Sequence, residues 1–158
     1  KITNKKIIQK KNIDKIFNKP IYQKYVSGIE YSADAWMYNN NIPKALILRK
    51  RSYVEDGEAR VTKLVNNKSL EKKIFNIFKK LKLTGHANLQ FIIKNNKISV
   101  IECNNRFGGA STFSINCGID SFYWTFLSYF RSEKMVEKID INKKKYSKQI
   151  RVLHDIYF

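Results

Sequence analysis

The sequence has few cysteines and few prolines, and both shortages limit what the protein can be. Its two cysteines, Cys103 and Cys117, lack the spacing of zinc ligands and the CxxC spacing of redox motifs, so neither kind of site is predicted. Isolated thiols are typical of proteins in a reducing cytoplasm, which is where we expect this one. Two prolines and no internal repeat occur in 158 residues, so a single domain over residues 1–158 is predicted.

Long apolar runs are missing as well. The longest run, Phe122–Phe130, is interrupted by Ser128 and is far too short to span a bilayer. No secretory signal pattern is recognised, in agreement with a cytoplasmic protein. There is no initiator methionine and Lys1 begins in polar sequence, which indicates truncation.

Acidic residues are scarce: Asp and Glu number 13 against 31 Lys and Arg, and the formal net charge is +18. Such a charge favours binding to nucleic acid, anionic membranes or acidic ligands. The lysines recur with asparagines in loops, helix faces and turns alike, which indicates a solvated background and not a binding stripe. A basic, non-catalytic module for nucleic acid or other polyanions stays open as the alternative function, although no RRM, KH or zinc-finger signature supports it.

The sequence does contain a succession of short alternating segments separated by turn signals. Asp56-Gly57 and Asn95-Asn96 are hairpin signals, and each lies between two apolar segments. Strands are predicted at Ile21–Val26, Glu30–Tyr38, Ala45–Leu48, Val61–Val65, Asn88–Ile93, Ile98–Cys103 and Ile150–Tyr157.

Helical patterns lie before and between these strands. A short helix is predicted at Asn12–Phe17, a longer one capped by Ser69, a third near Ser111, and a last one capped by Asp120 or Ser121. The aromatic face of the last helix is predicted to be core; it consists of Phe122, Phe126, Tyr129 and Phe130. This order predicts an α+β fold, an antiparallel β-sheet packed against helices and not a doubly wound sheet.

Polar side chains recur on the two strands joined by Asn95-Asn96. Strand alternation places Asn88 and Gln90 on one face, and Glu102 and Asn104 together on a face of the next strand. If the turn pairs the strands, Gln90 and Glu102 are cross-strand neighbours. One carboxylate and two carboxamides would then suit Mg²⁺, which takes oxygen ligands and completes its shell with waters and phosphates. The same alternation also fits a half-exposed sheet that faces solvent, and periodicity alone leaves both interpretations open.

The segment Glu102-x-Asn104-x-Arg106, after an Asn88-x-Gln90 strand, resembles the metal-binding signature of the ATP-grasp superfamily. The resemblance is to its carbamoyl-phosphate-synthase large-chain-like and amino-acid ligase branches. The usual signature reads E-x-N-P-R, so Asn105 stands where proline is usual. Residues 21–31, IYQKYVSGIEY, are similar to the hinge strand of that family and the turn after it, and IRVLHDIYF is similar to its closing strand.

The resemblance implies a set of roles for these residues. The hinge, with Gln23, Lys24, Tyr25 and Val26, would bind adenine, and Glu30 would bind the ribose hydroxyls. Two Mg²⁺ or Mn²⁺ ions would be held, one by Gln90 and Glu102 and one by Glu102 and Asn104. Arg106 would stabilise the transferred phosphoryl group, and Arg49 or Arg51 would bind the substrate carboxylate.

The implied activity is that of an ATP-dependent carboxylate–amine ligase that forms an acyl phosphate. The resemblance covers nearly the whole chain, but it corresponds only to the C-terminal half of an ATP-grasp domain. The Gly-rich loop that covers the phosphates is not found, so we expect a fragment that needs the missing N-terminal half and turns over little by itself. The two histidines, His86 and His154, are predicted to be structural.

Overall fold

The computed structural model describes residue 19 and residues 21–141 and 146–152, and these form one antiparallel sheet with helices on both faces. The six strands follow the spatial order β5-β4-β1-β2-β3-β6. Their bounds are β1 Ile29–Met37, β2 Pro43–Glu55, β3 Glu58–Val65, β4 Gly85–Lys94, β5 Lys97–Asn104 and β6 Lys148–Ile150. The helices are α1 Lys68–Lys80, α2 Ser111–Asn116, α3 Ser121–Phe130 and α4 Glu133–Glu137. The predicted α+β class is therefore confirmed.

Two hairpin turns fix the register of the sheet. Asp56 and Gly57 join β2 to β3 with φ values of 50° and 79°, and Asn95 and Asn96 join β4 to β5 with φ values of 48° and 61°. Positive φ at both central residues is the requirement of the turn that matches the natural twist of a hairpin, and Asn, Asp and Gly tolerate it best. Both predicted turns are confirmed.

One face of the sheet packs against α1. The helix presents Leu70, Ile74 and Phe78, spaced four residues apart, to an apolar sheet surface. That surface consists of Ala33, Ala35, Met37, Leu46, Leu48, Ala87, Leu89 and Phe91. The helix begins one residue after Asn67, whose side-chain oxygen accepts a hydrogen bond from the Leu70 amide at 3.0 Å. The predicted cap, Ser69, was wrong, because Asn67 is the residue whose side chain reaches the unpaired amide.

The opposite face is covered at one end by α2, α3 and α4. A second apolar cluster forms there around Trp36, Ala45 and Ile47, which alternate with the residues that face α1. The helices contribute Phe113, Cys117, Ile119, Trp124, Leu127 and Val136. The other end of this face is left to polar residues. No helix of the described residues is long and apolar enough to cross a membrane.

The structure corrects the predicted core of α3. Phe122, Phe126, Tyr129 and Phe130 are 66, 52, 83 and 63% exposed, whereas Ser121, Trp124 and Leu127 are buried. A helix can turn only one stripe toward the sheet, and here the stripe with Trp124 and Leu127 completes the second cluster. The prediction was wrong because aromatic content was equated with burial.

The predicted strand at Ile21–Val26 is also wrong. Residues 21–27 form no strand, and the side chains of Ile21 and Tyr25 are exposed. The Gln23 side chain links this segment to the sheet, because its Nε2 donates to the Ile101 carbonyl at 3.0 Å.

Two other predicted segments are described only in part or not at all. The helix at Asn12–Phe17 and the residue His154 lie outside the described residues. The closing strand predicted at Ile150–Tyr157 shares only Ile150 with the observed β6, Lys148–Ile150. Residues 151 and 152 are not in a strand, and residues 153–158 lie outside the described residues.

Candidate functional site

A polar cavity of about 190 Å³ opens at the end of the sheet face that the helices leave uncovered. Strands β2, β4 and β5, the β2–β3 turn and the segment between β5 and α2 all contribute to it. Among its lining residues are Arg49, Arg51, Asn88, Gln90, Glu102, Asn104, Arg106 and Arg151. The cavity therefore brings together all three predicted metal ligands, the predicted catalytic arginine and both predicted substrate arginines.

Glu102 lies at the centre of the predicted metal-ligand set. It pairs directly with Gln90 across β4 and β5, and Asn104 pairs with Asn88 two residues along the ladder. Gln90 Nε2 donates to Glu102 Oε1 at 2.8 Å, and Asn104 Nδ2 donates to the same oxygen at 2.9 Å. The predicted cross-strand pairing of Gln90 and Glu102 is confirmed.

A β-bulge in β5 directs the side chains of Glu102 and Asn104. The register shifts after Gln90, because Glu102 pairs with Gln90 but Val100 pairs with Phe91, which leaves Ile101 without a partner in β4. Such a bulge reverses the alternation of a strand, so that Ile98 and Cys103 both contact the α1 side. Glu102 and Asn104 consequently point into the cavity.

The donor set is suited to a hard divalent cation that also binds phosphate. It offers one carboxylate and two carboxamides around a single oxygen atom, and Mg²⁺ commonly takes one or two carboxylates with its remaining positions filled by water and phosphate. The part of the chain that the structure describes has no group of three or more His, Cys, Asp or Glu placed to hold a metal. The arrangement thus fits Mg²⁺ when a nucleotide supplies further ligands.

The family model described as "ATP-grasp in the biosynthetic pathway with Ter operon" matches residues 16–155. This chain belongs to the ATP-grasp family.

Solved structures share the fold at low sequence identity. Biotin carboxylase from Campylobacter jejuni, solved as a β,γ-ATP complex, is 15% identical with a TM-score of 0.55, over 66% of this chain and 26% of that one. The K. lactis urea amidolyase is 12% identical with a TM-score of 0.58, over 73% of this chain and 8% of that one. The chain therefore spans about a quarter of the biotin carboxylase and less than a tenth of the urea amidolyase. A comparison with proteins of curated function found no match.

Beneath the cavity of this ATP-grasp chain lies a buried ion pair that the sequence analysis did not predict. Asp34, on β1, is fully buried, and Oδ2 accepts from Arg49 Nε at 3.0 Å and lies 2.8 Å from Arg49 Nη2. Asn88 Nδ2 and Ser111 Oγ donate to Oδ1, and Ser114 Oγ donates to Oδ2. Burial by itself raises the pKa of Asp34, but the Arg49 guanidinium, then His86 and the hydrogen bonds, lower it below its ordinary value.

This ion pair fastens the segment after β5 to the sheet. Ser111 and Ser114 belong to α2, so two of the donors to Asp34 come from the helix that follows the cavity wall. Ser111 Oγ also accepts from the Gly108 amide at 2.9 Å and lies 3.3 Å from His86 Nε2. The segment that carries Arg106 is therefore held by a network rooted in the central strand.

His86 completes the network on the β4 side. Its ring stacks on Phe107 with the centroids 4.1 Å apart, and Nδ1 lies 2.9 Å from Ser121 Oγ. Burial lowers the pKa of His86, and the charge of Asp34 only partly opposes this effect. These contacts agree with the structural role predicted for His86.

Asn105 is anchored by its side chain. With the carboxamide oriented to satisfy its neighbours, the nitrogen donates to the His86 and Thr84 carbonyls at 3.0 and 3.1 Å. Asparagine thus provides a restraint where the usual signature has proline, although through hydrogen bonds and not through a fixed φ. Arg106, the next residue, is exposed at the cavity, and its Nη1 donates to the Phe107 carbonyl at 3.2 Å.

The two predicted substrate arginines already have protein partners. Arg49 is 2% exposed and bound to Asp34. Arg51 Nη1 donates to Gln90 Oε1, Nη2 donates to the Gly57 carbonyl at 2.6 Å, and Nε lies 3.3 Å from Glu30 Oε1. Burial lowers the pKa of Arg51, and the charge of Glu30 opposes this.

The residues predicted to bind adenine lie apart from this cavity. Gln23, Lys24, Tyr25 and Val26 precede β1, and the last three line a second depression of about 370 Å³ beside the β4–β5 turn. Glu30, the predicted ribose residue, lies between the two regions and contacts Arg51. The structure therefore brings together the predicted metal and phosphoryl residues, but it does not bring the hinge residues into the same cavity.

Of the residues that sequence reasoning missed, Asp34 had a recognisable signal. Asp34 is a carboxylate in the middle of a strand whose neighbours are Ala33, Ala35 and Trp36, and such a residue needs a buried partner. Arg49 was the available cation on the next strand. The two serines of α2 gave no comparable signal, because only the fold places them over Asp34.

Proposed function

We propose that this chain is the ATP- and Mg²⁺-binding half of an ATP-grasp carboxylate–amine ligase, and that the complete protein activates a substrate carboxylate as an acyl phosphate. The observation that carries the proposal is the convergence of Gln90, Glu102, Asn104 and Arg106 on one cavity in a chain of the ATP-grasp family.

Glu102 would be shared by two cations. Gln90 would join it at one site and Asn104 at the other, each through its carboxamide oxygen. Both carboxamides donate a hydrogen bond from their NH₂ group to Glu102 here. Each carboxamide would therefore rotate by about 180° to present its oxygen when a cation binds the carboxylate. Bound Mg²⁺ would supply neutralisation of the β- and γ-phosphate charge.

Arg106 would act on the phosphoryl group. It is exposed at the cavity, two residues beyond Asn104, and a guanidinium can donate two parallel hydrogen bonds to phosphoryl oxygens. Holding the phosphoryl group beside a carboxylate favours attack of that carboxylate on phosphorus, which releases ADP and forms the acyl phosphate. An amine would then attack the acyl carbon and release phosphate.

Nucleotide binding would extend from this cavity toward the segment before β1. Glu30 would accept hydrogen bonds from the ribose hydroxyls, while Gln23, Lys24, Tyr25 and Val26 would surround adenine. A substrate carboxylate would have to compete with Asp34 for Arg49, or with Gln90 for Arg51. We expect the chain by itself to bind Mg·nucleotide weakly and to turn over little, because phosphoryl transfer requires positioning from both sides.

The test is thermal stability with and without Mg²⁺ and a non-hydrolysable ATP analogue. We expect a rise in the melting temperature that needs both ligands in the unmodified chain and is lost in Glu102→Ala. Glu71→Ala is the matched control, because Glu71 lies on α1 at the opposite face of the sheet and should leave the rise intact. Equal behaviour of the two variants would contradict the proposal.

A polyanion-binding module is the second candidate function. The net charge of +18 and the exposed aromatic side chains of α3 favour it, since lysines and stacking rings bind single-stranded nucleic acid without sequence preference. It predicts binding that falls steeply with salt and that Glu102→Ala does not weaken.

A further inference from the structure

Arg51 holds three separate parts of the cavity wall together. Its side chain starts on β2, crosses the central strand and reaches Gln90 on β4, to whose Oε1 it donates. The same guanidinium donates to the Gly57 carbonyl in the β2–β3 turn at 2.6 Å and lies 3.3 Å from Glu30 Oε1 on β1. The side chain is largely buried, so these contacts are shielded from water.

Arg51 and Glu102 together fix the orientation of the Gln90 carboxamide. Because Arg51 takes the oxygen, the nitrogen is turned toward Glu102 and donates to Oε1 at 2.8 Å. A guanidinium has only donors, so this orientation is the one that satisfies both neighbours of Gln90.

We propose that Arg51 is a positioning residue that keeps the Gln90 oxygen away from Glu102, so that Arg51 sets the affinity of the site for its divalent cation. This inference rests on the proposed function, in which Gln90 and Glu102 share a cation. Ligation through the Gln90 oxygen requires the carboxamide to turn over, which places its NH₂ group against the guanidinium. Arg51 cannot move away from Gln90 without losing its contacts to Gly57 and Glu30.

The Gln90 carboxamide and the Arg51 guanidinium lie side by side in this cavity. A Gln90 that is held in its donor orientation satisfies Glu102 when no cation is bound and gives up that contact when one arrives. Arg51 thereby weakens binding of the free cation. The phosphate ligands of a bound nucleotide would have to compensate for this loss of binding free energy.

The first experiment is a double-mutant cycle on Mn²⁺ binding. Electron paramagnetic resonance measures the Mn²⁺ affinity of each variant in the absence of nucleotide. Arg51→Met should tighten Mn²⁺ binding by about tenfold more when Gln90 is present than in the Gln90→Ala background, since a charge-assisted hydrogen bond is at stake. The Gln90→Ala background removes the general effect of deleting a positive charge near a cation. Equal effects in both backgrounds would overturn the inference alone.

A wild-type chain that binds neither Mn²⁺ nor Mg·nucleotide would overturn the proposed function and this inference with it. Thermal melts show whether Arg51→Met still folds, and a second measurement needs no variant. Nuclear Overhauser contacts from the Gln90 side-chain amide protons to Glu102 should be seen without Mg²⁺ and lost when Mg²⁺ saturates the site. Contacts that persist when Mg²⁺ saturates the site would contradict the proposed rotation of the Gln90 carboxamide.

Discussion

The two faces of the central sheet are formed by alternate residues of the same strands, yet they are stabilised differently. Toward α1 the sheet presents a cluster of buried apolar side chains that includes Ala33, Leu48 and Leu89. Toward the cavity it presents Asp34, Arg49, Arg51 and Gln90, each held by named hydrogen bonds. Apolar packing tolerates exchange among residues of similar volume. Removing one partner of a buried ion pair leaves an uncompensated charge and is strongly destabilising. The stability of the protein should therefore be more sensitive to single substitutions on the cavity face than on the apolar face.

The largest expected effect is a loss of stability on the cavity face. It is measured by comparing two substitutions that change the side-chain volume little, one on each face of the sheet. Asp34→Asn leaves the Arg49 charge buried without a counter-ion, so we expect the free energy of unfolding to fall by about 3–5 kcal/mol. Ile74→Val, on the apolar face, should cost about 1 kcal/mol. Urea unfolding measures both.

The same comparison has an internal control. Arg49→Met in the Asp34→Asn background removes the stranded charge and should recover part of the loss. Equal costs for Asp34→Asn and Ile74→Val would show that the two faces do not differ as described.

A smaller effect concerns pH and the histidine of the cavity network. The pKa of His86 is lowered in the folded state, so below its ordinary pKa of about 6.5 the unfolded chain binds more protons than the folded one. The free energy of unfolding should therefore be fully maintained above that pH and decrease as pH falls toward the folded-state pKa. In His86→Gln this part of the slope should be missing, as measured by urea unfolding between neutral and mildly acidic pH. A slope that is the same in both proteins would contradict the account.

The smallest effect is expected at the exposed stripe of α3. Phe126→Ser and Phe130→Ser should change the free energy of unfolding by no more than about 0.5 kcal/mol, because both rings are more than half exposed. Leu127→Ala, on the buried stripe of the same helix, should cost about 2–5 kcal/mol. If the serine variants were as costly as Leu127→Ala in thermal or urea unfolding, the aromatic stripe would be part of the core.

Local patterns were enough to predict much of the sheet. The hairpin signal at Asn95-Asn96 predicted that β4 pairs with β5, because turn chemistry acts over a few residues. A regular two-residue hairpin would place Gln90 opposite Ile101, and the bulge at Ile101 is what brings Glu102 opposite Gln90. Composition alone was not enough at Ile21–Val26, where four of the six residues are β-branched or aromatic but the segment forms no strand.

The cavity network could not be predicted because its members come together only in three dimensions. Asp34 is separated from Ser111 by 77 residues and from Ser114 by 80. Which stripe of α3 packs inward depends in the same way on the position of Trp36 in the sheet. Alternation predicted which residues share a face, whereas pairing of side chains across elements required the fold.

The central claim is that Glu102 organises a nucleotide-linked cation site. The most direct measurement is a crystal structure grown with Mn²⁺ and a non-hydrolysable ATP analogue, with the anomalous signal of manganese recorded. The account predicts anomalous peaks within coordination distance of the Glu102 carboxylate, with the Gln90 or Asn104 carboxamide turned over to present its oxygen. Bound nucleotide whose manganese lies away from Glu102, with both carboxamides still donating to it, would contradict the account.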